Sequence, residues 1–371
     1  MEKLPYRVLQ VVTIMNRGGI ETMIMNHYRA VDRTKIQFDF LVHRQEKGDY
    51  DDEIEQLGGR IYRAFPIRPW KYIYYFKWLK SFFNKNNDYI AIHAHIQENS
   101  GLVFKVAHRF NIKALISTSH TAGYGIDYKY LFRVYAKYYL NKYCTHKMAC
   151  GNMAGEHLYG KNSEFIIIHN AIDVAKFKYN VNVRNKIRHE LNIENKFVIG
   201  NVARFHKGKN HTFIVDVFNE INKKDNNCCL VLVGDGEEFE AIKSKVESFD
   251  LSSNVTLLGV RNNVNELLQA FDVLLFPSLF EGIPVSIIEA QAAGLPCILS
   301  DTIDNETAIT SNVEFHSLNA PISEWTNAIL NKKDFRRVDT TSEIVDAGYD
   351  VMHNIKNLID LYTTNFKQIS H

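Results

Sequence analysis

The sequence lacks any apolar run that approaches the roughly 18 residues needed to cross a bilayer. The apolar start from Val8 to Met15 is shorter than that, and it leads into Gly18-Gly19 without a small-residue cleavage site. These features argue against a signal peptide. We interpret the segment as the first strand of a folded domain.

Cysteine is also scarce. The five cysteines show neither paired disulfide spacing nor metal-ligand spacing; they are Cys144, Cys150, Cys228, Cys229 and Cys297. We expect reduced, mostly buried thiols, which indicates a cytoplasmic protein. With 46% hydrophobic and 23% charged residues, the chain of 371 residues has the composition of a soluble globular protein and the length of two ordinary domains.

Acidic residues are under-represented in the first half of the chain. Residues 1–168 carry 24 Lys and Arg against 15 Asp and Glu, a net charge of +9, whereas residues 169–371 carry 20 against 27, or −7. The formal net charge of +2 hides this difference. A basic first half favours an anionic surface or an anionic binding partner for that half.

Strand-like and helix-like segments alternate along the first half, which predicts a parallel sheet covered by helices on both faces. The predicted strands are 7–14, 38–42, 60–64, 89–93, 114–119, 147–149 and 165–168. The predicted helices are 20–31, 53–57, 70–83, 101–110 and 130–143.

The same alternation restarts after residue 169 and predicts a second doubly wound unit. Its predicted strands are 197–202, 230–233, 255–258, 273–276 and 297–299, and its helices lie near 211–223, 237–249, 263–270, 284–293 and 323–331. A last helix is predicted over 346–366. The sequence therefore predicts an α/β protein of two tandem Rossmann-like domains, with ligands at the carboxyl ends of both sheets.

Two glycines follow the first predicted strand. Gly18 and Gly19 let the backbone approach a ligand closely and open a helix N-terminus. A plain turn explains a lone glycine pair equally well. The position at the carboxyl end of a strand favours the ligand loop.

Histidines lie at or near the ends of two other strands of the first half. His120 ends the predicted strand 114–119, where an imidazole could donate to a ligand hydroxyl or stabilise charge. The alternative is a loop histidine satisfied by local hydrogen bonds. His93 and His95 have the spacing of a metal pair on a strand, but no third ligand lies nearby, so we expect one of them to face the cleft or the core.

Arg204 and Lys209 flank the turn after the first strand of the second half. Two cations beside a helix N-terminus can neutralise a diphosphate and stabilise a leaving phosphate. A solvated basic turn is the alternative, and the strand-end position favours the phosphate site. His206 and Lys207, in the same turn, are expected to be exposed.

Two carboxylates, Glu281 and Glu289, flank a predicted strand-to-helix turn. Pro284 suits the first helical position, because proline there loses no needed donor. The amides of Val285 and Ser286 then lie at the positive end of the helix dipole, where they can hold an anion. With Glu281 on the loop and Glu289 about two turns into the helix, the stretch suits a phosphate-bearing ligand with hydroxyls at both ends.

Two further strand ends carry weaker patterns. Gly234-Asp235-Gly236 begins a G-x-G pattern but lacks the third glycine, and neighbouring acids would repel a pyrophosphate. We reject an NAD site there in favour of a helix-initiating turn. Val260 and Arg261 close the next strand, where backbone groups could pair with a nucleobase edge.

Two helical segments, 69–85 and 128–147, combine many aromatic residues with basic residues and contain no acid. This composition suits the surface of an anionic membrane. The alternative is that the aromatic side chains pack on the sheet while the lysines face solvent.

Taken together, these residues resemble the retaining GT-B glycosyltransferases of family 4. The resemblance covers nearly the whole chain and rests on the Gly18-Gly19 turn, on Arg204-x4-Lys209 and on Glu281-x7-Glu289. The opening Met15-Asn16-Arg17-Gly18-Gly19-Ile20-Glu21 resembles members from bacterial capsule and exopolysaccharide clusters.

The resemblance implies two facing domains with a cleft between them: an acceptor-binding domain at residues 1–168 and a donor-binding domain at 169–345. A helix over about 346–371 would pack back on the first domain. The implied reaction moves a hexose-type sugar from a nucleotide diphosphate, UDP, to a glycan or a lipid-linked glycan. An anionic membrane is a candidate for peripheral contact with the protein, and no nucleic acid is expected as a partner.

The resemblance also implies roles for individual residues. The implied catalytic residues are Glu281, His120, Arg204 and Lys209. The implied donor-binding residues are Gly18, Gly19, Arg204, Lys209, Val260, Arg261, Gly282, Ile283, Val285, Ser286 and Glu289. Glu281 would hold the sugar hydroxyls, Glu289 the ribose hydroxyls, and Arg204 with Lys209 the diphosphate.

No Asp-x-Asp motif placed for a metal occurs, so we expect a metal-independent reaction without a cofactor, in which the nucleotide sugar is a co-substrate. Two alternatives are a nucleotide-sugar epimerase on the same fold and a catalytically silent scaffold subunit. The spacing of Glu281 and Glu289 disfavours the epimerase. The presence of these two glutamates together with Arg204 and Lys209 disfavours the catalytically silent scaffold. Acceptor specificity is expected in loops 48–52 and 122–127.

Overall fold

The computed structural model describes residues 4–110, 112–121 and 129–367, with side chains described up to residue 363. The chain divides into two units: unit 1 is Met1–Ala171 with Val351–His371, and unit 2 is Ile172–Asp350. The sequence placed these boundaries at 168/169 and 345/346. The loop 122–127, expected to influence acceptor specificity, lies outside the described residues.

Unit 1 is a doubly wound α/β fold. Its strands are β1 (Tyr6–Val12), β2 (Ile36–Val42), β3 (Ile61–Arg63), β4 (Tyr89–Ala94), β5 (Ala114–Ser119), β6 (His146–Ala149) and β7 (Ile166–Ile167). Its first six helices are α1 (Gly19–Ala30), α2 (Asp51–Gln56), α3 (Tyr72–Lys85), α4 (Ser100–Ala107), α5 (Tyr130–Tyr143) and α6 (Asn152–Tyr159). Within the described residues the strands form one sheet of seven, in the order β3-β2-β1-β4-β5-β6-β7.

The sheet of unit 1 is buried on both faces. Along β1, Val8 and Val12 enter one apolar core while Leu9 and Val11 enter the other, as the alternation of side chains along a strand requires. Every strand pair recorded in the unit is parallel. Parallel sheets need cover on both sides, which explains the near-continuous apolar sequence of these strands.

Unit 2 repeats the architecture. Its strands are β8 (Phe197–Val202), β9 (Cys228–Val233), β10 (Val255–Leu257), β11 (Val273–Phe276), β12 (Cys297–Ser300) and β13 (Val313–His316). Its helices are α7 (Val174–Phe177), α8 (Val181–Glu190), α9 (His211–Lys224), α10 (Phe239–Ser248), α11 (Val264–Ala270), α12 (Val285–Ala292), α13 (Ile322–Leu330) and α14 (Thr341–Asp346). The six described strands are ordered β10-β9-β8-β11-β12-β13, and all recorded pairs are parallel.

A partly buried charge cluster anchors α8 to the sheet of unit 2. The carboxylate of Asp272 pairs with Arg184 and Arg188, the second pair at 2.6 Å, and accepts from the N–H of Val198 at 2.8 Å. The guanidinium of Arg184 also donates to the carbonyl of Phe271 at 2.9 Å. Ion pairs and hydrogen bonds therefore hold α8 on the sheet in addition to its few apolar contacts. Because the helix has few apolar residues, the periodicity of apolar residues in the sequence did not predict it.

The last helix, α15 (Val351–Lys367), belongs to unit 1. Ile355, Leu358 and Tyr362 recur at helical spacing and enter the core of that unit. The sequence predicted a single helix from residue 346. The structure instead ends α14 at Asp346 and starts α15 at Val351, because Gly348 adopts a φ of +83° that breaks the helix between them.

The fold class is confirmed: the chain contains two doubly wound parallel-sheet units. The predicted bounds of the strands 114–119, 197–202 and 273–276 match the structure. The edge strand β13 was missed, since it has four residues and is only half-buried. Among the helices in the described residues, none combines the length and the apolar character that crossing a membrane requires.

Candidate functional site

The topological switch point of unit 2 lies between β8 and β11, which are neighbours in the sheet. Beyond this pair the chain winds to opposite edges of the sheet, and a crevice forms where the two loops after the strands diverge. One loop runs from residue 203 to 210 and the other from 277 to 284. The side-chain amide of Asn201 donates to the carbonyl of Leu275 at 2.8 Å and ties the two strands together just before they end.

Lys209 and Glu281, one from each loop, form an ion pair between Nζ and Oε1. Both side chains are about one-fifth exposed, at 23% and 22%. The ammonium also lies 5.2 Å from the centroid of the Phe276 ring. Glu281 is held in place by a backbone bridge to Ile303, which follows β12. Two residues expected from separate motifs therefore meet at the switch point.

Backbone contacts fix the two loops against each other. The N–H of Leu279 donates to the carbonyl of Gly208 at 2.8 Å, and the side chain of Asn210 donates to the carbonyl of Pro277 at 3.1 Å. Asn210 adopts the left-handed conformation with a φ of +59°, which asparagine tolerates better than most residues. Lys209 thus extends from a rigid turn, and its ammonium needs little reorganisation to meet a charge.

The glycine pair Gly234 and Gly236 supports this turn, a role that the sequence did not reveal. A Cβ built on Gly234 would lie 2.0 Å from the carbonyl oxygen of Ala203, and one on Gly236 would lie 2.4 Å from that of Phe205. The N–H of Phe205 donates to the carbonyl of Asp235 at 3.0 Å. Only glycine allows this approach, so the pair packs behind the basic turn.

Arg204 points elsewhere in this structure. Its side chain is 73% exposed, and its Nη2 lies 3.4 Å from Oε2 of Glu237. Nε2 of His206 lies 3.5 Å from the other oxygen of the same carboxylate. Among the described residues Arg204 makes no recorded contact with Glu281, so the structure does not bring these two predicted residues together.

The helix α12 begins beside Glu281. Pro284 is the residue before the helix and not its first residue, because its ψ of 127° is extended and the helical conformation starts at Val285. The prediction was therefore wrong by one residue. The first N–H groups of a helix have no acceptor within it, so the amides of Val285 and Ser286 are directed out of the helix at its positive end. Such an end is suited to an anion.

Glu289 lies half-buried on the same helix. Desolvation raises the pKa of its carboxyl to about 8. No hydrogen bond to this carboxyl is recorded from the described residues. A carboxyl that keeps its proton near neutral pH can both donate to and accept from a pair of ligand hydroxyls.

The remaining predicted donor residues of unit 2 lie on exposed turns. Val260 is 58% exposed and follows Gly259, whose φ of +64° turns the chain at the end of β10. Arg261 is exposed, and its Nε donates to Asn263 at 3.2 Å. Gly282 is exposed with open space at the position of a Cβ, whereas Ile283 packs against the core.

Changing Glu289 to Gln should make the thermal stability less dependent on pH. A raised pKa in the folded state means that the fold is favoured while the carboxyl holds its proton, and this contribution is lost as the pH rises from about 4.5 to about 8. The full shift corresponds to about 4–5 kcal/mol, and partial solvent exposure of the carboxyl reduces it. We expect Glu289→Gln to be close to the wild type at pH 5 and to exceed it by about 2 kcal/mol at pH 8, or roughly 4–8 °C in Tm.

Differential scanning fluorimetry of both proteins at pH 5, 6.5 and 8 measures this difference. Glu306→Gln is a matched control, because Glu306 is exposed in the same unit. A parallel pH dependence of Tm in wild type and Glu289→Gln would show that the carboxyl of Glu289 is not held neutral.

In unit 1, Gly18 and Gly19 open α1 directly after the loop that follows β1. Gly18 occupies the N-cap position and its carbonyl accepts from the N–H of Thr22 at 2.9 Å. A Cβ on Gly18 would lie 2.4 Å from a carboxylate oxygen of Glu21, whereas Gly19 has open space around it. The backbone at Gly19 is thus accessible to a ligand.

His120 follows β5 and contacts His95. Its Nε2 lies 2.9 Å from Nδ1 of His95, and its Nδ1 is buried without a hydrogen-bond partner among the described residues. Desolvation lowers the pKa of His120 to about 3, so the ring is neutral near pH 7. His93 and His95 are both buried, at 3% and 5% exposed, and they belong to one hydrogen-bond network with His120.

A cavity of about 820 Å³ lies at the carboxyl edge of the sheet of unit 1. Residues after β1, β2, β4 and β5 line it, among them Thr13, Arg44, His95 and Thr121. The described lining also contains further cations and several aromatic rings: Arg68, Lys129, Arg133, Trp70, Tyr72 and Phe132. This combination suits an anionic ligand with an apolar or sugar face.

The helices α3 and α5 present exposed apolar side chains beside this cavity. Tyr72 of α3 stacks on Tyr135 of α5 at 6.0 Å between ring centroids, so the two helices are neighbours. The exposed side chains of the pair, together with Trp70 just before α3, are Trp70, Ile73, Tyr74, Tyr130, Leu131, Phe132, Val134, Tyr135 and Tyr138, which we call the aromatic face. Other aromatic side chains of α3, such as Tyr75 and Phe83, are fully buried, so core packing explains only part of the composition.

No three His, Cys, Asp or Glu side chains among the described residues are grouped so as to hold a metal ion. All five cysteines are free.

Two family models match the chain. Residues 17–176 match "Glycosyltransferase Family 4" and residues 183–319 match "Glycosyl transferases group 1". A protein named glycosyltransferase EpsF from Bacillus subtilis is 34% identical, over 96% of this chain and 96% of its own length.

Two other relatives are similar over nearly the whole chain. An Escherichia coli enzyme named UDP-Gal:alpha-D-GlcNAc-diphosphoundecaprenol alpha-1,3-galactosyltransferase is 26% identical over 93% of both chains. The capsular polysaccharide biosynthesis glycosyltransferase CapH of Staphylococcus aureus is 26% identical over 96% of this chain and 98% of its own. Among solved structures, Anabaena HepE in complex with UDP and glucose shares the fold, with a TM-score of 0.75 at 17% identity, over 97% of this chain and all of that one.

Proposed function

The chain belongs to the family 4 glycosyltransferases, which have the GT-B fold, and from that membership we propose that it moves a hexose-type sugar from UDP to a saccharide or lipid-linked saccharide, with retention of configuration. It is a glycosyltransferase of the polysaccharide-synthesising type found among its relatives. The pairing of Lys209 with Glu281 beside the N-terminus of α12 carries the proposal, because it gathers a cation, a carboxylate and helix amides at one switch point.

Unit 2 holds the donor in this proposal. The diphosphate lies on the amides of Val285 and Ser286 and against Lys209, which exchanges part of its contact with Glu281 for the phosphate. Arg204 is exposed and can swing from Glu237 toward the same phosphate. Glu281 holds the sugar hydroxyls, and Glu289 the ribose diol. Val260 and Arg261 flank the base, and the UDP named for one relative and bound in one structural neighbour supports uracil.

The bond from the sugar C1 to the UDP oxygen breaks as negative charge develops on the β-phosphate. Lys209, Arg204 and the helix amides stabilise that charge, a task for which other sugar transferases use a divalent metal. A bond forms from C1 to the acceptor oxygen on the face that UDP leaves, and the proton of the acceptor hydroxyl passes to a departing phosphate oxygen. Glu281 stabilises the positive charge on the sugar, and His120 hydrogen-bonds to a substrate hydroxyl.

Unit 1 holds the acceptor. The cavity at the edge of its sheet is large enough for a disaccharide, and its cations, which include Arg44, Arg68 and Arg133, suit an acceptor that carries phosphate. The diphosphoundecaprenol acceptor named for the E. coli relative has this chemistry. The net charge of +9 over residues 1–168 favours the same class of acceptor.

The test of this function is the release of UDP. We expect slow release from UDP-hexoses by the purified protein, and an acceleration by extracts of lipid-linked saccharide that persists in EDTA. The anomeric configuration of the product, read by NMR, should equal that of the donor. Loss of activity in EDTA with rescue by Mg²⁺ would reject the metal-independent mechanism, and an inverted product would reject retention.

The aromatic face is proposed to lie on an anionic membrane. Its exposed rings can insert at the interface while the lysines of α3 and α5 meet the headgroups. We expect the wild type to float with liposomes that contain anionic lipid at low salt, and the variant Ile73→Glu/Leu131→Glu to stay in the soluble fraction.

Val181→Glu is the matched control for this flotation assay, since Val181 is an exposed apolar residue of unit 2 at 53%. The control should float like the wild type. Wild-type protein that stays in the soluble fraction at low salt would leave the aromatic face without a membrane role.

A further inference from the structure

A continuous chain of hydrogen bonds inside unit 1 links His120 to the last helix, α15. His120 contacts His95 at 2.9 Å, and Nε2 of His95 lies 3.0 Å from the carbonyl oxygen of the Gln10 side chain. The amide nitrogen of Gln10 donates to the hydroxyl of Tyr362 at 3.4 Å. The chain thus passes through β4 and β1 before it reaches α15.

The chain continues past Tyr362. Its hydroxyl lies 2.8 Å from Nδ1 of His93, whose Nε2 lies 2.6 Å from the hydroxyl of Thr118. The rings of His93 and His95 pack together, with centroids 4.2 Å apart. Gln10, His93 and His95 are no more than 5% exposed and Tyr362 is 1% exposed, so solvent does not compete for these bonds.

Gln10 sets the direction of the chain. Its carbonyl oxygen can only accept, so Nε2 of His95 carries a proton and donates to it. A neutral imidazole has one proton, so Nδ1 of His95 is the acceptor of the next bond. Nε2 of His120 must therefore be the protonated nitrogen, and it donates to His95.

The other end of the chain agrees with this direction. The amide nitrogen of Gln10 donates to Tyr362, and the tyrosine hydroxyl can donate in turn to Nδ1 of His93, which keeps one direction along the chain. The proton of His93 is then on Nε2 and is donated to Thr118. Burial lowers the pKa of both His93 and His95 well below 6.5, which keeps each ring neutral as the assignment requires.

We propose that Gln10, His95 and Tyr362 are positioning residues that hold His120 with its proton on Nε2 and its lone pair on Nδ1. Nδ1 of His120 is buried and has no partner in the described residues, so it is the one ring nitrogen of these three histidines that the chain leaves unused. A buried nitrogen without a partner destabilises the ligand-free protein, and a substrate hydroxyl that donates to it would remove that cost.

The protonation state of His120 follows from the hydrogen bonds alone, whereas its consequence for the substrate rests on the proposed function. That consequence is that His120 accepts a hydrogen bond from a sugar or acceptor hydroxyl and does not donate one. It also assigns the last helix a second role besides packing. Tyr362 brings a polar group of α15 into the chain that orients His120.

The tautomer can be measured in the ligand-free protein without any assay of activity. In protein labelled with 15N in histidine, the long-range proton–nitrogen couplings of His120 report which nitrogen carries the proton, and loss of signals in His120→Asn assigns them. We expect the Nε2–H tautomer from pH 6 to pH 8. A proton on Nδ1, or a charged ring, would overturn the proposal even if the protein is an active transferase.

Tyr362→Phe removes one link of the chain while keeping the ring in the core. We expect a mixture of His120 tautomers and a kcat about tenfold lower, with an unchanged KM for the UDP-sugar. Tyr28→Phe is the matched control, because its hydroxyl is also buried in unit 1 and bonds Gln37 at 2.8 Å outside the chain. The control should lose a similar amount of stability and keep both the tautomer and kcat.

A second pair of variants acts at His95. Asparagine can place its carbonyl oxygen near the position of Nδ1 and still accept from His120, whereas leucine cannot. His95→Asn should therefore retain the Nε2–H signature and most of the turnover, while His95→Leu should lose the signature and about tenfold or more of kcat. Equal losses in the two variants, or an unchanged tautomer in Tyr362→Phe, would contradict a positioning role.

Discussion

Replacing Glu281 by alanine is expected to lower kcat for sugar transfer by at least about 100-fold while leaving unit 2 folded. In the proposed mechanism this carboxylate stabilises positive charge on the sugar ring and orients its hydroxyls. It also holds Lys209, the cation that meets the departing phosphate. The substitution removes the first effect and releases the ammonium from its position, so two contributions to the transition state are lost together.

Lys209→Ala is expected to lower kcat by a similar factor, because it removes the cation that meets the departing phosphate. Because the two side chains act as one unit, the double variant should be little worse than the poorer single variant. Steady-state kinetics with a saturating UDP-sugar measures all three. Glu306→Ala is the control, since Glu306 is an exposed carboxylate three residues after Ile303, the bridge partner of Glu281.

A charge swap separates a catalytic pair from a structural salt bridge. The variant Lys209→Glu/Glu281→Lys can keep an ion pair between the two loops, and we expect a Tm close to that of the wild type. Its activity should be as low as that of the single variants, because the phosphate now faces a carboxylate. An active swapped protein would mean that the pair only joins the loops.

The sequence predicts that the basic turn faces the glutamate-bearing turn, but not that Lys209 and Glu281 form an ion pair. The pattern of buried strands located β8 and β11, and the residues after them were chosen because strand ends bind ligands. That Lys209 and Glu281 touch depends on β8 and β11 being neighbours, which the strand order shows and no local pattern does. The exposed direction of Arg204 likewise depends on Glu237, which follows a different strand.

Three other features could not be predicted from the sequence, each for a physical reason. The sequence predicts only a turn at Gly234 and Gly236. It does not show their close approach to Ala203 and Phe205, which exists only in the folded structure. The helix α8 has few apolar residues and is also anchored by polar contacts to Asp272. The raised pKa of Glu289 reflects desolvation, which depends on the packing around α12 and not on its sequence.

The histidines of unit 1 lead to the second large effect, a loss of stability of that unit in mild acid. Burial lowers the pKa of six of them: to about 4 for His27 and His43, to about 3 for His120, well below 6.5 for His93 and His95, and below 6.5 for the partly exposed His146. In the unfolded chain each would titrate near 6.5. Protons therefore bind the unfolded state more tightly, and acid favours unfolding.

The sign and the window follow from these values. The contribution is negligible well above pH 6.5 and grows as the pH falls below it; for His27 and His43 it levels off near pH 4, where their folded-state rings also take up protons. At pH 5, His27, His43 and His120 each cost about 2 kcal/mol, because their folded-state pKa values lie below 5. Those three costs, to which the other buried histidines add in the same direction, are comparable with the 5–15 kcal/mol that stabilises an ordinary domain, so we expect unit 1 to unfold near pH 5.

Unit 2 provides an internal comparison. Among its described residues only His211 has a resolved lowering of the histidine pKa, to about 4, so unit 2 should lose much less stability at pH 5 than unit 1. Hydrogen exchange measured by mass spectrometry at pH 7 and pH 5, corrected for the intrinsic rates, should show protection lost in peptides of unit 1 and retained in peptides of unit 2. Simultaneous loss in both units would show that one transition governs the whole chain.

His27→Leu tests the cause directly. Nε2 of His27 is buried without a hydrogen-bond partner among the described residues, and the residue lies outside the chain that orients His120. We expect the variant to be about 2 kcal/mol more stable than the wild type in unit 1 at pH 5, and to differ from it by much less at pH 8. Equal differences at the two pH values would assign the effect to packing. A gain confined to acid would show that a neutral ring held in the core destabilises the fold as the pH falls.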